Sequence, residues 1–505
     1  MGIVKKDALR TTLISYIGLV LGYINKAFLF IIFLSTVQIG LVNLLTTTGL
    51  LFAQLSNLGS IYVTWRFFPF FRNDAKRHYG FLLFNLLIVS LGILIFTLLF
   101  WLFQAEINTY FNEKSPLFVH YAWWVIPVGV GNVLFMLFEN HLRGLFKNVF
   151  PVFLQDIGLR MITTFLLILY AVHWLSFETF LFALLLSNVF PALVLLVYLV
   201  YLGELHFSFK HITIPRRFRK IIVTFSLFSY VNTLATMLVI TMDAMMIGGM
   251  IGLAATGIYT TMVQITSAVL IPFRAMTRVS SPIVAKLWKE KDLNGLQEIY
   301  KKSSGAGLFI GLVSFLGLWL PVRELFSFLK PEFQAGIPVL FFLLVGRVVD
   351  MYCGLNGIIF ATSRKYKYDL VFTIMLCVGI YFLNRLLIPI YGIAGVGFAT
   401  GFIYVFYNIA RSAYIYWAYR LNPFHLEHVK PFLLFLGVLL IHYLTTLAFP
   451  FYEHSTTFWK LMRIVCMEVW VFVGFVFPVL WLSLEPETAG YVRSFISNLK
   501  RKTIK

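Results

Sequence analysis

The sequence predicts an all-α polytopic membrane protein with about 14 transmembrane helices, built as two pseudo-twofold six-helix bundles plus two C-terminal helices. Hydrophobic residues make up 60% of the 505 residues and charged residues only 12%, whereas a soluble domain carries about 25% charged residues. Fourteen apolar stretches are each long enough to cross a bilayer, which takes roughly 20 helical residues. Basic residues lie mainly between alternate stretches, which is typical of a chain oriented in a membrane.

Each predicted span is an apolar run bounded by charged or turn-forming residues. The first run is longer than a signal peptide's apolar region, has no small-residue cleavage site and is followed at once by a second run. We therefore interpret it as a true span. The predicted spans are 11–34, 36–62, 79–102, 117–138, 151–173, 177–202, 221–246, 254–277, 303–322, 334–360, 368–388, 392–418, 431–449 and 457–483.

The distribution of basic residues predicts the orientation of the chain. Of the 41 Lys and Arg residues, 31 lie on the face that holds both termini, and only six lie on the opposite face. Because cytoplasmic connections are the ones enriched in Lys and Arg, both termini are expected in the cytoplasm. An even number of spans also requires both termini on one face, so the two arguments agree.

The formal net charge of +20 does not indicate nucleic-acid binding. The basic residues are spread over eight short segments instead of one stripe, and no nucleic-acid motif accompanies them. Topology and attraction to anionic membrane lipids explain their number. Cys353, Cys377 and Cys466 lie within spans and form no CxxC pair, so they predict neither disulfides nor a metal site.

Motifs of membrane motors and enzymes are missing from the sequence. It has no GxxxxGK[ST] phosphate loop, no HExxH and no Cys/His cluster. Its outer connections do not exceed about 15 residues, which leaves no extracytoplasmic domain for a catalytic site. The sequence therefore favours a transporter over an enzyme, with no catalytic residues, no resident cofactor and no metal.

An internal duplication accounts for twelve of the spans. Span 1 aligns with span 7 without gaps at an offset of 217 residues, and this register places Lys26 on Asp243 and Gly40 on Gly257. Repeated bundles are common in secondary transporters. Because six is even, both halves keep one orientation, and we expect a pseudo-twofold axis along the membrane normal with a cavity between the lobes.

The duplication predicts three parts of the chain. Residues 1–205 form an N-lobe of helices 1–6, and residues 206–422 form a C-lobe of helices 7–12. Residues 423–505 add helices 13–14 and a basic cytoplasmic tail.

Two motifs resemble those of a known transporter family. The pattern Asp243-x-x-x-Ile247-Gly248, followed by Gly252 and Gly257-Ile258-Tyr259, resembles the seventh-helix signature of polysaccharide transporters. The run Pro-Ile-Tyr-Gly-Ile-Ala-Gly at 389–395 resembles the start of their twelfth helix. These transporters belong to the multidrug/oligosaccharidyl-lipid/polysaccharide (MOP) superfamily. The first half of this chain lacks the aspartate motif. This difference argues against equal functional roles for the two lobes.

The resemblance implies a Wzx-type flippase that moves undecaprenyl-diphosphate-linked oligosaccharide across the bacterial cytoplasmic (inner) membrane by alternating access. The products would serve O-antigen, capsular or exopolysaccharide assembly. It also implies a polysaccharide polymerase and glycosyltransferases as partners, and H⁺ or Na⁺ as the coupling ion.

Three other functions stay open at the level of the sequence. A lipid II flippase also has fourteen spans and a cationic cavity. A cation-coupled multidrug exporter usually has twelve spans and an acidic site on its first helix, where this chain has Lys26. From a different class, an intramembrane glycan-processing enzyme would need paired carboxylates or a nucleophile–base pair facing one cavity, and we find no such spacing.

Seven charged residues within the spans are candidate site residues, because a charge at bilayer depth costs about 2.5–3.5 kcal/mol on insertion scales. Asp156 and Arg160 are four residues apart, and Arg347 and Asp350 are three apart. Both spacings permit a pair within one helix, so we interpret these four as structural pairs.

Lys26, Asp243 and Arg274 have no opposite charge within one helical turn. We therefore expect each to meet another helix, a cavity or a ligand. One hypothesis is a gating or ion-coupling pair of Lys26 and Asp243 between the lobes. A second is that Lys26 and Arg274 bind the substrate's diphosphate, because an anionic group in a low-dielectric cavity needs cations.

Overall fold

The computed structural model of the chain describes residues 2–73, 78–205, 216–448, 456–482 and 484. Helices are the regular structure in these ranges, where no strand is found. This confirms the predicted all-α class. The predicted basic tail and the start of the predicted C-lobe at residue 206 lie outside the described residues.

Apolar helices long enough to cross a membrane follow one another along the described chain. There are 12, or 13 when the bent pair Leu253–Ala268 and Ile271–Glu290 is counted as one span. The other spans are Arg10–Phe33, Thr36–Ser56, His78–Leu102, Pro116–Gly144, Val149–Ala171, Phe177–Tyr201, Ile221–Met250, Leu293–Trp319, Pro331–Tyr352, Lys367–Tyr419, Leu426–Ala448 and Thr457–Trp481.

The 53-residue segment Lys367–Tyr419 is two spans joined by a sharp break. Its length of about 80 Å is more than twice the hydrocarbon thickness. At Gly392 the backbone leaves the helix with φ 57° and ψ −137°, a conformation that essentially only glycine adopts. A Cβ at Gly395 would lie 2.6 Å from the carbonyl oxygen of Leu387, so the turn is also too tight for a side chain there. Counting this segment as two spans and the bent pair as one gives the predicted fourteen.

The ends of spans 2 and 8 on the predicted cytoplasmic side continue into further helices. Helix Ser60–Phe71 follows span 2, and helix Ile271–Glu290 follows the first part of span 8 after a bend of 53°. Both contain an internal proline, Pro69 and Pro282. Because proline cannot donate a backbone hydrogen bond, such helices are easily bent at that point.

The helix boundaries reproduce the duplication register. Span 1 ends at Phe33 and span 7 at Met250, while span 2 begins at Thr36 and span 8 at Leu253. Each pair is separated by the 217 residues that the sequence alignment predicts. The two repeats therefore fold into the same helix–turn–helix geometry at this corner.

Reciprocal contacts join the starts of spans 2 and 8. A Cβ at Gly40 would lie 1.9 Å from the carbonyl oxygen of Leu253, and a Cβ at Gly257 would lie 2.0 Å from that of Thr36. One turn further on, Asn43 Nδ2 donates to Thr260 Oγ1 at 2.9 Å, again across 217 residues. Contacts that exchange equivalent residues are the mark of a twofold relation, so a pseudo-twofold axis passes between these two helices.

The contacts divide the chain into two compact units, Met1–Thr261 and Met262–Lys505. The first unit includes span 7, which packs against span 2, and the beginning of span 8. This division follows the packing, whereas the predicted boundaries at 205 and 422 follow the duplication and stay a prediction.

Candidate functional site

A stripe of small and polar residues on span 1 packs against span 5 in the first unit. Ser15, Gly18, Gly22 and Asn25 are spaced by three or four residues and so lie on one helix face. A Cβ at Gly18 would lie 2.3 Å from the carbonyl oxygen of Asp156. The pattern Gly18-x-x-x-Gly22 is a sequence signature for such close approach of helices in membranes.

Hydrogen bonds run along this stripe between the two helices. Ser15 Oγ donates to Asp156 Oδ2 at 2.7 Å, and Asn25 Nδ2 donates to the backbone oxygen of Arg160 at 2.9 Å. Thr164 Oγ1 then donates to Asn25 Oδ1 at 2.8 Å. Because hydrocarbon offers no partners to polar groups, these bonds hold spans 1 and 5 in one register.

Asp156 and Arg160 lie at this contact and not merely beside one another on span 5. Arg160 Nη2 is 3.9 Å from Asp156 Oδ1, a long distance for an ion pair. The same guanidinium donates through Nη1 to the backbone oxygen of Gly18. Arg160 therefore reaches across to span 1, and the lack of a side chain at Gly18 and Gly22 makes room for it.

Lys26 lies on a π-helical turn, Ile24–Leu29, in the same span. Its side chain is exposed, and its ammonium is close enough to the Arg160 guanidinium for the two charges to repel one another. Among the described residues, no carboxylate lies within ion-pair distance of Lys26. Span 5 carries a matching π turn at Leu154–Gly158, and such turns are frequent at functional sites.

Asp243 is a buried residue of span 7, and its side chain has a partner on span 8. Tyr259 donates its hydroxyl to Asp243 Oδ2 across the corner between the two spans. Both residues belong to the motif that resembles the seventh-helix signature. A short hydrogen bond from tyrosine thus explains why that motif combines an aspartate with a Gly-Ile-Tyr run 14 residues later.

The glycines of the same motif allow close packing on the first repeat. A Cβ at Gly248 would lie 2.8 Å from Leu44, and one at Gly252 would lie 2.8 Å from the Lys114 backbone oxygen. Gly252 also has a φ of 131°, which side-chain-bearing residues rarely adopt. The motif is therefore explained by packing and by the turn between spans 7 and 8.

Lys26 and Asp243 occupy equivalent places without forming a pair in this state. Each lies seven residues before the end of its span, at Phe33 and Met250 respectively. Asp243 accepts from Tyr259, whereas Lys26 is beside Arg160. The predicted exchange of a Lys26–Asp243 pair between access states stays a prediction.

Arg274 lies beyond a bend in span 8, whereas the sequence predicted it within a continuous span over 254–277. Span 8 bends after Ala268, and Arg274 lies in the first turn of the following helix, Ile271–Glu290, with an exposed side chain. It belongs to the second unit and Lys26 to the first, so its joint action with Lys26 on a diphosphate stays a prediction.

Arg347 does not form the expected pair with Asp350. Its guanidinium carbon lies 5.4 Å from the ring centroid of Tyr404, and the described residues include no Arg347–Asp350 ion pair. A Cβ at Gly346 would lie 3.3 Å from the Cα of Gly401. Because spans 10 and 12 approach so closely there, an aromatic face is available to the arginine, and a cation–π contact replaces the local pair.

Sequence reasoning missed a buried ion pair between spans 11 and 12. Arg411 is only 9% exposed and contacts Asp369 through Nη2. Asn356 donates to Asn408 at 3.1 Å nearby, which makes this end of the second unit polar inside. Asp369 and Arg411 lie on different spans, so their positions in the sequence gave no signal for the contact.

A second missed cluster lies at the end of spans 3, 4 and 6. His78 Nε2 is 3.1 Å and His141 Nε2 is 3.8 Å from Glu204 Oε2. His78 Nδ1 accepts the backbone N–H of Asn73, so its proton is on Nε2 and is donated to Glu204. The imidazoles of His141 and His78 together hold the pKa of Glu204 well below its usual range.

The arrangement in the first unit brings positive charge together on spans 1 and 5. Within the described ranges, no group of three His, Cys, Asp or Glu side chains has the geometry of a metal site. The exposed Lys26 ammonium and the nearby Arg160 guanidinium supply positive charge, with Asp156 as a partial counterion.

Known proteins share the fold of this chain. No protein-family model matches the sequence, and no curated protein matches it in a sequence search. Among solved structures, the lipid II flippase MurJ in an inward closed conformation matches with a TM-score of 0.69 and 15% identity, over 96% of this chain and 99% of that chain.

Other MOP superfamily transporters match over a shorter part of the chain. An inward-facing multidrug resistance MATE family transporter gives a TM-score of 0.63 at 15% identity, over 82% of this chain and 98% of that chain. A MOP superfamily transporter from Pyrococcus furiosus gives 0.54 at 15% identity, over 83% and 96%. The structural neighbours are thus transporters and flippases, and at these identities the likeness establishes the fold.

Proposed function

We propose that this protein is a flippase that moves polyprenyl-diphosphate-linked oligosaccharide, with undecaprenyl diphosphate as the carrier, across the bacterial cytoplasmic membrane for O-antigen, capsule or exopolysaccharide assembly. The fold of the lipid II flippase over 96% of the chain supports this proposal. The fourteen spans also support the proposal, because the matched multidrug exporter aligns with only 82% of this chain.

The observation that carries the proposal is the setting of Lys26. A lone cation in a membrane span costs several kcal/mol unless an anion or water compensates it. Lys26 has no carboxylate partner among the described residues and lies beside a second cation, Arg160. A diphosphate supplies the negative charge and the acceptor oxygens that two such groups would bind.

In the proposed cycle, Lys26 and Arg160 bind the diphosphate while the sugar occupies the aqueous pathway and the polyprenyl tail stays in lipid. Asp156 limits the net positive charge near the site, so the bound diphosphate can also leave. The polar stripe of span 1 keeps Arg160 beside Lys26, because Asn25 bonds the Arg160 backbone and Gly18 accepts from its guanidinium.

Charge reversal at Lys26 tests the proposal. A cell that lacks this protein should accumulate lipid-linked oligosaccharide on the cytoplasmic face, and the wild-type gene should relieve the accumulation. Lys26→Glu should fail to relieve it, although the new carboxylate lies beside Arg160 and so should not impair insertion. Lys26→Arg should retain part of the activity because it keeps the charge.

A matched charge reversal outside the spans controls for nonspecific effects. Lys114 lies in the connection before span 4 with its side chain 44% exposed, where it pairs with Glu113. Lys114→Glu should export normally. Wild-type export by Lys26→Glu at equal protein levels would overturn the proposal. Accumulation of lipid II in place of lipid-linked oligosaccharide in the deletion strain would overturn the assigned substrate.

A further inference from the structure

A cleft separates spans 13 and 14, the two helices outside the duplicated repeats. The spans pack together where Val429–Ala448 meets the π turn Phe472–Val476, around the buried Phe475. A cleft of about 450 Å³ lies between them. Its walls include His442 and Thr445 of span 13, and Arg463, Cys466 and Trp470 of span 14.

The cleft opens among side chains that have no protein cover. Leu440 and Leu447 of span 13 are 58% and 64% exposed, and Val465 of span 14 is 60% exposed. In a chain of this fold such apolar surfaces face lipid tails. An occupant of the cleft must therefore enter from the membrane and be a lipid.

The charges at the cleft select an anionic occupant. Arg463 Nε contacts Glu324 Oε1 at 3.0 Å, and Glu324 is 2% exposed. Arg323 and Arg463 both act electrostatically on His442. Two guanidinium groups thus lie near His442, and Glu324 contacts one of them.

The depth of these groups suits a lipid headgroup. His442 is six residues before the end of span 13 at Ala448, and Arg463 is six residues after the start of span 14 at Thr457. Both are therefore about 9 Å below the helix ends, which by the predicted topology are the outer ends. From that depth a long arginine side chain reaches the level of lipid phosphates.

We propose that the cleft between spans 13 and 14 holds one anionic phospholipid of the outer leaflet, with its phosphate against Arg463 and His442 and its acyl chain beside Cys466 and Trp470. The volume is that of a small ligand site, which suits a phospholipid headgroup and not an oligosaccharide. The proposal does not depend on the transported substrate.

Native mass spectrometry of the full-length protein tests the proposal. Protein is reconstituted in phosphatidylglycerol or phosphatidylcholine, and the lipid retained on gentle delipidation is counted. We expect one retained phosphatidylglycerol, preferred over phosphatidylcholine by about fivefold, the factor that one basic residue gives toward anionic lipid. Equal retention of the two lipids would overturn the proposal.

Two variants separate loss of binding from loss of fold. Arg463→Gln alone leaves Glu324 buried without its cation and so could disturb the fold. The double variant Arg463→Gln/Glu324→Gln avoids this, because its two amides can still hydrogen-bond to one another. It should lose the preference for phosphatidylglycerol while keeping the wild-type elution profile. Lys460 lies on the same span but outside the cleft lining, so Lys460→Gln should keep the preference for phosphatidylglycerol. If the double variant retains phosphatidylglycerol at the wild-type level, the proposal is overturned.

Cross-linking from Cys466 locates the bound lipid. Cys466 is the exposed thiol of the chain, Cys353 is buried, and Cys377→Ala removes the partly exposed third one. A benzophenone maleimide on Cys466 should capture phosphatidylglycerol on illumination, and several-fold less in the double variant. Preferential capture of polyprenyl phosphate from an equimolar mixture would show a substrate-lipid site instead and overturn the assignment.

Discussion

The reciprocal contact between spans 2 and 8 predicts that a single methyl group will displace the protein from the state described above. In Gly40→Ala the new carbon would lie 1.9 Å from the Leu253 carbonyl oxygen, whereas such carbon–oxygen contacts normally measure about 3.3–3.6 Å. The two helices must therefore separate by about 1.4 Å. The clashing oxygen belongs to the backbone of Leu253, so no side-chain rotation relieves the clash.

The expected size of the effect follows from the cost of overpacking. Inserting one methyl group into a tight contact costs about 1–3 kcal/mol, which corresponds to a shift of about 5–150-fold away from this state. Gly257→Ala should have a similar effect, because its Cβ would lie 2.0 Å from the Thr36 oxygen. The double variant should cost less than the sum of the two, since one separation relieves both clashes.

Cross-linking at the neighbouring hydrogen bond measures this shift. Asn43 and Thr260 are bonded at 2.9 Å, so cysteines at both positions should react with a short thiol cross-linker in membranes. Adding Gly40→Ala should reduce the cross-linked fraction. Gly437→Ala is the control, because a Cβ there meets nothing within 4 Å. Undiminished cross-linking in Gly40→Ala, or an equal loss in Gly437→Ala, would refute the reasoning.

Three further predictions concern single side chains. Tyr259→Phe should lower the thermal midpoint by removing the donor to buried Asp243, a loss of about 1–3 kcal/mol, and Asp243→Asn made in the same background should restore part of it. Glu204→Gln should destabilise the protein at neutral pH. The pKa of Glu204 is lowered in the folded state. The stabilisation by its carboxylate is therefore complete above the usual glutamate pKa near 4.3 and is lost as the pH falls through the folded pKa. The thermal midpoints of variant and wild type should therefore converge in acid and differ at pH 7. Gly392→Ala should cost about 1–3 kcal/mol, because it imposes a side chain on a φ of 57° and ψ of −137°; a thermal midpoint equal to wild type would contradict this.

The sequence predicted those features that depend on composition and on position along one helix. Apolar length identified the spans, and the offset of 217 aligned Gly40 with Gly257 near the start of the second helix in each half, where the structure has helix starts at Thr36 and Leu253. The motif at 389–395 marked the break between spans 11 and 12, where the structure needs glycine at 392. These signals are local, so a single sequence contains them.

Side-chain partners on other helices were beyond the same reasoning. A spacing of three permits Arg347 to meet Asp350, yet its guanidinium lies over Tyr404 of a different span. Likewise Arg160 donates to the Gly18 backbone, an acceptor that every residue carries and that no sequence pattern marks. The stripe from Ser15 to Asn25 was a usable signal, because small and polar residues at helical spacing are rare on lipid-facing surfaces.

The packing of spans 7 and 8 onto the first repeat has a consequence for biosynthesis. The first compact unit closes at Thr261, whereas span 6 ends at Tyr201. At about 5–20 residues per second, the ribosome needs several seconds to deliver the missing segment. During that interval the face of span 2 around Gly40 has no span 8 to cover it. The nascent chain must therefore pass through a six-span intermediate with an open contact face, where a chaperone or neighbouring lipid would have to stand in for span 8.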